Sequence, residues 1–431
     1  MRWTPKLILT ALWTASGTAL YLVLPLAAPV ILVLAVVVPA LWYPGWADGN
    51  RPWRWSLPIG LLVVAAGYLL ANSYWSLTPV VAYRSAATLL VSAGVLAVLT
   101  AALPALEDAP VRAISVGFYA GYALAALFLC LEILDDHQLH LRIFRLIPGI
   151  APTGRSIVVS DGHLVGLQDY YLNHSMAALA FLAWPVLMVA SRLALQWGGR
   201  VLLLMCLSPA PIAIFASAHE TSKVALIGSA LVWLVHLVLP RFTKPLLPAL
   251  WVGAFIAVIP AAQLAYHQGL QRSEWLPPSA QHRVVIWGVT SSKVAEAPVF
   301  GSGVGTAREL GHKDLEKQSL EPGTPFRQST GWHAHNVYLQ AWFETGAVGV
   351  VLMCAIGLLV LRGIGQAQQP IRGALYSAFA ANALLGAFSF SLWANWFLSS
   401  LVLSAILGML AWRLVQDRSS WADHALTQSQ V

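Results

Sequence analysis

Charge is scarce in this sequence. Only 10% of its 431 residues are Asp, Glu, Lys or Arg, against 58% hydrophobic, whereas ordinary soluble domains carry about 25% charged residues. A chain this apolar, with a mean hydropathy of +0.69, reads as a polytopic membrane protein and not as a soluble enzyme. Cysteine is scarce as well. Cys130, Cys206 and Cys354 fall inside apolar runs at no ligand-like spacing, so they imply neither a disulfide framework nor a thiolate metal site. No Asp-x-Asp occurs, which disfavours a nucleotide-sugar transferase that clamps a diphosphate through a divalent ion. Internal repeats, low-complexity tracts and a separable soluble segment are all missing, so residues 1–431 read as a single integral membrane domain.

Long apolar runs are abundant. Those able to cross ~30 Å of hydrocarbon fall at residues 7–24, 28–43, 57–71, 86–103, 114–134, 171–190, 201–217, 224–239, 246–265, 337–361, 374–393 and 396–414. The fold expected is all-α, with about twelve transmembrane helices and a long loop between the ninth and tenth. The first run reads as a span and not as a cleaved leader, because similar runs continue along the chain. Net charge is +7, yet Lys and Arg are scattered singly, so anionic lipid head groups and diphosphates fit as partners better than nucleic acid. If the spans alternate, Arg2, Lys6, Arg51, Arg54, Arg112, Arg192, Arg200, Arg241, Lys244, Arg362, Arg372, Arg413 and Arg418 share one side. That side is cytoplasmic by the positive-inside bias, as are both termini. Residues 135–169 and 266–334 then lie on the opposite side and form the expected active-site face. Trp42, Trp46, Trp53, Trp55, Trp75, Trp393 and Trp396 at span ends read as interfacial anchors.

One stretch carries chemistry into the membrane. In His333-Ala-His-Asn-Val-Tyr-Leu-Gln-Ala-Trp-Phe-Glu-Thr-Gly-Ala-Val-Gly349, a helix would place Asn336, Gln340 and Glu344 on one stripe of an apolar cylinder. Buried amides and carboxyls need partners or a wet cavity, so the stripe is a functional candidate, with a helix end bearing interfacial anchors as the alternative. His335 stands where that helix begins, as a candidate proton acceptor kept neutral by helix-terminal N–H groups. His333 and His335 also make a possible two-histidine metal site, without an evident third ligand.

This string resembles the signature of the O-antigen ligase and polymerase superfamily, membrane glycosyltransferases that use polyprenyl-diphosphate-linked glycans. The resemblance covers about 17 residues and is strengthened by their position after a long extramembrane loop. Upstream, Gln281-His-Arg-Val-Val-Ile-Trp287 opens an expected amphipathic helix, followed by Pro298 and Gly301-Ser-Gly-Val-Gly305. An Arg and a Trp a turn apart before a glycine cluster recur in the family, which implies that Arg283 contacts the diphosphate. Anchorage to a lipid phosphate is the alternative. The glycines lack a following Lys-Ser/Thr and read as a tight turn. Within Ser217-Ala-His-Glu-Thr-Ser-Lys223 the family usually has Arg, sometimes Lys, after a Ser. The resemblance implies a second diphosphate cation at Lys223, with a snorkelling lysine as the alternative. Arg155, ahead of Asn173 and His174, matches a third family position at a longer spacing.

The resemblance implies an inverting glycosyltransferase that needs no metal or cofactor. Its donor would be undecaprenyl-diphosphate-linked O-antigen and its acceptor the lipid A–core oligosaccharide, joined at the periplasmic face of the bacterial inner membrane. Arg283, Lys223 and Arg155 would neutralise the leaving diphosphate, and His335 would act as general base, supported by His333, Asn336, Gln340 and Glu344. The alternatives are an O-antigen polymerase, then a protein O-oligosaccharyltransferase, which usually has a larger C-terminal soluble region. From a different class comes a lipid-linked glycan transporter, for which repeated halves and broken midplane helices would be expected.

Overall fold

The protein is described here from a computed structural model, which covers residues 3–31, 33–34, 42–43, 56–147, 157–160, 163–193, 197–317 and 320–428. Fifteen α-helices are found among these residues. In chain order they are α1 Pro5–Val23, α2 Leu57–Asn72, α3 Pro79–Ala102, α4 Asp108–Leu134, α5 Gln138–Leu146, α6 Asn173–Leu193, α7 Trp197–Met205, α8 Pro209–Ala216, α9 Glu220–Val238, α10 Pro240–His267, α11 Pro278–Lys293, α12 Thr306–Lys317, α13 Val337–Gly365, α14 Gln369–Phe388 and α15 Asn395–Gln428. Between α5 and α6, β1 (Ile157–Ser160) and β2 (His163–Leu167) form an antiparallel hairpin. Proline opens α1, α2, α3, α8, α10 and α11, where its missing N–H costs nothing.

Nine helices among the described residues are long and apolar enough to cross a membrane, taking α7 and α8 together as one stretch from Gly199 to Ala216. The protein is a polytopic all-α membrane protein. The nine correspond to nine of the twelve expected runs. Of the other three, half of 28–43 lies outside the described residues, 57–71 is the shorter apolar helix α2, and 374–393 corresponds to α14. That last run is not one continuous helix, because α14 stops at Phe388 and residues 389–394 form a connecting turn. Likewise 201–217 breaks at residues 206–208 before Pro209 restarts the helix. The two expected outer segments also fold. Residues 135–169 hold α5 and the hairpin, and 266–334 hold α11 and α12.

Small residues set the tightest packing. A Cβ on Gly117 of α4 would come within 2.2 Å of the Ala11 carbonyl of α1, and one on Gly121 within 2.3 Å of the Ala15 carbonyl. The Gly-x-x-x-Gly spacing thus lets two backbones touch where lipid supplies no hydrophobic drive. The central core runs through α4, α6, α13 and α15, with Phe118, Tyr122, Met176 and Phe181 almost fully buried.

A second device shapes the functional end of the bundle. Within α13, Gly346 has φ 59° and ψ −163°, which interrupts the helix and frees carbonyls that are normally bonded along it. Phe343 O accepts from Ser302 N at 2.8 Å, Glu344 O from Gly303 N at 3.0 Å, and Thr345 O from the Tyr68 hydroxyl at 2.8 Å. The turn 301–305 is therefore wedged against the break, and Asn72 of α2, fully buried, closes it by accepting from Val304 N at 2.7 Å. With these backbone N–H groups committed to protein carbonyl and amide oxygens, the glycine cluster is a docking turn and not a phosphate cradle.

Candidate active site

Three helix starts, one turn and helix α11 meet at the same end of the bundle. The start of α13 brings His333 and His335, the start of α9 brings His219, the start of α6 brings His174, and the turn after α14 brings Ser389 and Phe390. Helix α11 supplies His282 and Arg283, and its Trp287 donates from Nε1 to Ala334 O at 2.8 Å, pinning the histidine segment to that helix.

Asn336 caps α13, its Oδ1 accepting from Tyr338 N and Leu339 N at 3.0 Å each. The residue before it, His335, sits at φ 50° in the left-handed region, which a non-glycine residue holds only when its surroundings enforce it. Its backbone N–H donates to His333 Nδ1 at 3.1 Å, and the two rings lie 3.9 Å apart between centroids. His335 Nδ1 lies 2.8 Å from Ser389 O. A carbonyl can only accept, so Nδ1 carries the proton and Nε2 keeps its lone pair. Burial, followed by the charges of Arg283 and His282, lowers the pKa of His335 to about 4 against the opposing bond to Ser389.

Ser389 holds a second imidazole. Its hydroxyl lies 3.0 Å from His219 Nε2, while His219 Nδ1 meets Ser222 Oγ at 2.7 Å. Phe390 fills the gap between His219, at 5.6 Å, and His174, at 5.5 Å. His219 is pushed down to about 3 by burial and then by Arg283, His174 and Lys223, and burial beside His335 and Arg283 drives His333 well below the ordinary histidine value. Arg283 thus sits amid imidazoles that all stay neutral at pH 7. Among the described residues it has no carboxylate or hydrogen-bond partner, and burial lowers its own pKa. A half-buried guanidinium with no counter-ion among the described residues has a donor geometry that suits phosphate or carboxylate.

The structure brings together Arg283, His333 and His335, and treats the other expected residues differently. Lys223 bears on His219 electrostatically, but its Nζ is 2.7 Å from Glu220 Oε1 within the first turn of α9, so it is already paired. Arg155 lies outside the described residues. Gln340 and Glu344 point into the scaffold. Gln340 accepts from Leu392 N at 2.9 Å and donates to Ser391 Oγ and to Glu344 Oε2. Glu344, fully buried, accepts from Ala307 N at 2.9 Å and from the Trp393 indole. The polar stripe therefore clamps the 389–394 turn and the start of α12 around the histidines. The sequence reading missed Ser389, whose position inside an apolar run hid it, and gave His219 no role although it lies in the segment read for Lys223.

His333 Nδ1 and His335 Nδ1 are both engaged by protein groups, and no cluster of three His, Cys, Asp or Glu suited to a metal occurs among the described residues.

Comparison with known proteins places these residues in context. Residues 201–354 match the family model described as O-antigen ligase, a segment holding His219, Arg283, His333 and His335. A Rickettsia felis protein named "Putative polysaccharide ligase" is 25% identical over 239 residues, which are 54% of this chain and 56% of the relative. A Rickettsia bellii protein of the same name is 25% identical over 244 residues, 55% of this chain and 57% of the relative. The chain thus spans about half the length of the curated relatives it matches. Over these segments the chain is similar to the O-antigen ligase family and to the two polysaccharide-ligase relatives.

Proposed function

We propose that this protein is an inverting, metal-independent glycosyltransferase. It moves O-antigen from undecaprenyl diphosphate to the lipid A–core oligosaccharide at the periplasmic face of the inner membrane. The observation that carries this reading is the pairing of a neutral imidazole of fixed tautomer, His335, with an uncompensated guanidinium, Arg283. The lone pair on His335 Nε2 takes the proton of an acceptor hydroxyl as its oxygen attacks the anomeric carbon. The bond from that carbon to the diphosphate oxygen breaks, its electron pair leaves with the diphosphate, and Arg283 neutralises the charge that develops. One displacement inverts the anomeric centre. Lys223 and Arg155 are secondary diphosphate contacts, with Lys223 available only if Glu220 releases it. His333 orients His335 by accepting its backbone N–H, while Asn336, Gln340 and Glu344 hold the surrounding turns.

The test is glycan transfer from undecaprenyl diphosphate to purified lipid A–core by the purified protein, with EDTA present. Transfer should proceed, His335→Ala should reduce kcat at least about a hundredfold, and Arg283→Ala should raise the donor KM more than the acceptor KM. Near wild-type turnover by His335→Ala removes the base. Transfer only to lipid-linked glycan, and not to lipid A–core, makes the protein a polymerase.

A further inference from the structure

Beside His333 stands an exposed pair that the reaction above does not use. Trp332 is 54% exposed, although it immediately precedes the histidine segment. The Arg308 guanidinium lies over its indole, 4.9 Å from the centroid, and His312, one turn further along α12, meets the same ring at 5.0 Å. Glu309 does not neutralise Arg308, because it pairs with Lys313 at 3.4 Å. Arg308 has no carboxylate partner among the described residues, and its charge is felt by His333.

This pair is held rigidly. Glu344 Oε1 accepts from Ala307 N in the first turn of α12, and the Thr330 hydroxyl donates to Ala307 O at 2.9 Å. Gly311 approaches the segment before His333 so closely that a Cβ there would be 2.0 Å from Gly331 O. The buried carboxyl that braces α13 therefore also anchors the first turn of α12, which carries Arg308. An exposed indole presents a flat apolar face, which suits the C–H face of a pyranose. The guanidinium stacked on it is preorganised for a phosphate or carboxylate.

We propose that Trp332 and Arg308 form the acceptor subsite, taking a saccharide that carries a negatively charged substituent and holding its hydroxyl toward His335. This inference rests on the glycosyl-transfer reading and names the side of the reaction to which the anionic sugar belongs.

Two measurements with lipid A–core as probe test it. In equilibrium binding without donor, Arg308→Gln and Trp332→Ala should each weaken acceptor binding about tenfold, and Arg308→Lys should recover part of the loss. In steady-state transfer, the same variants should raise the acceptor KM about tenfold, with far smaller effects on kcat and on the donor KM. A selective rise in donor KM would make Arg308 a diphosphate contact and overturn the proposal. So would acceptor binding unaltered by either substitution, or no binding by the wild-type protein. Failure of the glycosyl-transfer reading appears elsewhere, as wild-type protein that binds lipid A–core but transfers glycan to no acceptor.

Discussion

A buried imidazole forced to stay neutral is always ready to accept a proton, yet it is a weak base for the task. His335, lowered to about 4 by burial and then by Arg283 and His282, has both properties. Bound diphosphate would change the balance, because its charge beside Arg283 cancels one of the terms that disfavour the imidazolium. The sign follows directly. The active form is the deprotonated one, so a depressed pKa keeps activity at neutral pH, and activity is lost as pH falls through the pKa. In donor-dependent kcat/KM, which reports the free enzyme, the acid limb should lie near 4. In kcat, which reports the bound complex, it should lie at higher pH. Coincident limbs near the ordinary histidine value would mean that neither burial nor Arg283 governs the base. His335 was legible as a candidate because a histidine at the mouth of an apolar helix is a local pattern. Its tautomer was not, since that depends on Ser389, 54 residues away.

At the level of elements, one helix break organises the site. Gly346 lets α13 stop and restart, and the freed carbonyls hold the 301–305 turn, which in turn positions α12. A Cβ at Gly346 would meet Gly301 N and the Val299 carbonyl carbon at 2.5 Å, in addition to the strain of φ 59°. Gly346→Ala should therefore destabilise the protein by about 3 kcal/mol, combining left-handed strain with a backbone clash. Thermal unfolding in detergent reads this as a lowered Tm. Gly253→Ala in α10 is the control, because nothing lies within 4 Å of its added Cβ and the helix prefers alanine. Equal losses from both would remove any special role for the break. Most spans were legible as apolar runs, and the stripe Asn336, Gln340, Glu344 was legible from its spacing of four residues. The purpose of the stripe was not. Its partners Ala307, Leu392 and Trp393 lie 37 to 52 residues away, and a turn such as 389–394 looks continuous with α14 to any measure that counts apolar residues alone.

Across the whole molecule, the histidine cluster and a second set of basic side chains lie at opposite ends. Helices α6, α9 and α13 begin, and α10 and α14 end, beside the histidine cluster. Following the same helices away from it leads to Arg192, Arg241, Lys244, Arg362 and Arg372. At that far end Arg413 donates to Asp108 Oδ1 at 2.9 Å and Gln369 Oε1 lies 3.3 Å from His236. Positive side chains next to spans are held on the cytoplasmic side during insertion, so this polarity supports the proposed outward-facing site. An outward site also suits a glycan carrier whose diphosphate sits at the lipid boundary, where Arg283 can be half-buried and still reached. Orientation is testable without any activity. In a background lacking Cys130, Cys206 and Cys354, Glu296→Cys beside α11 and Arg241→Cys at the start of α10 both place an exposed thiol. A membrane-impermeant maleimide applied to spheroplasts should label the first at once and the second only after permeabilisation. The reverse order would turn His335 and Arg283 toward the cytosol, away from any acceptor in the periplasm, and would end the ligase assignment whatever the geometry of the cluster.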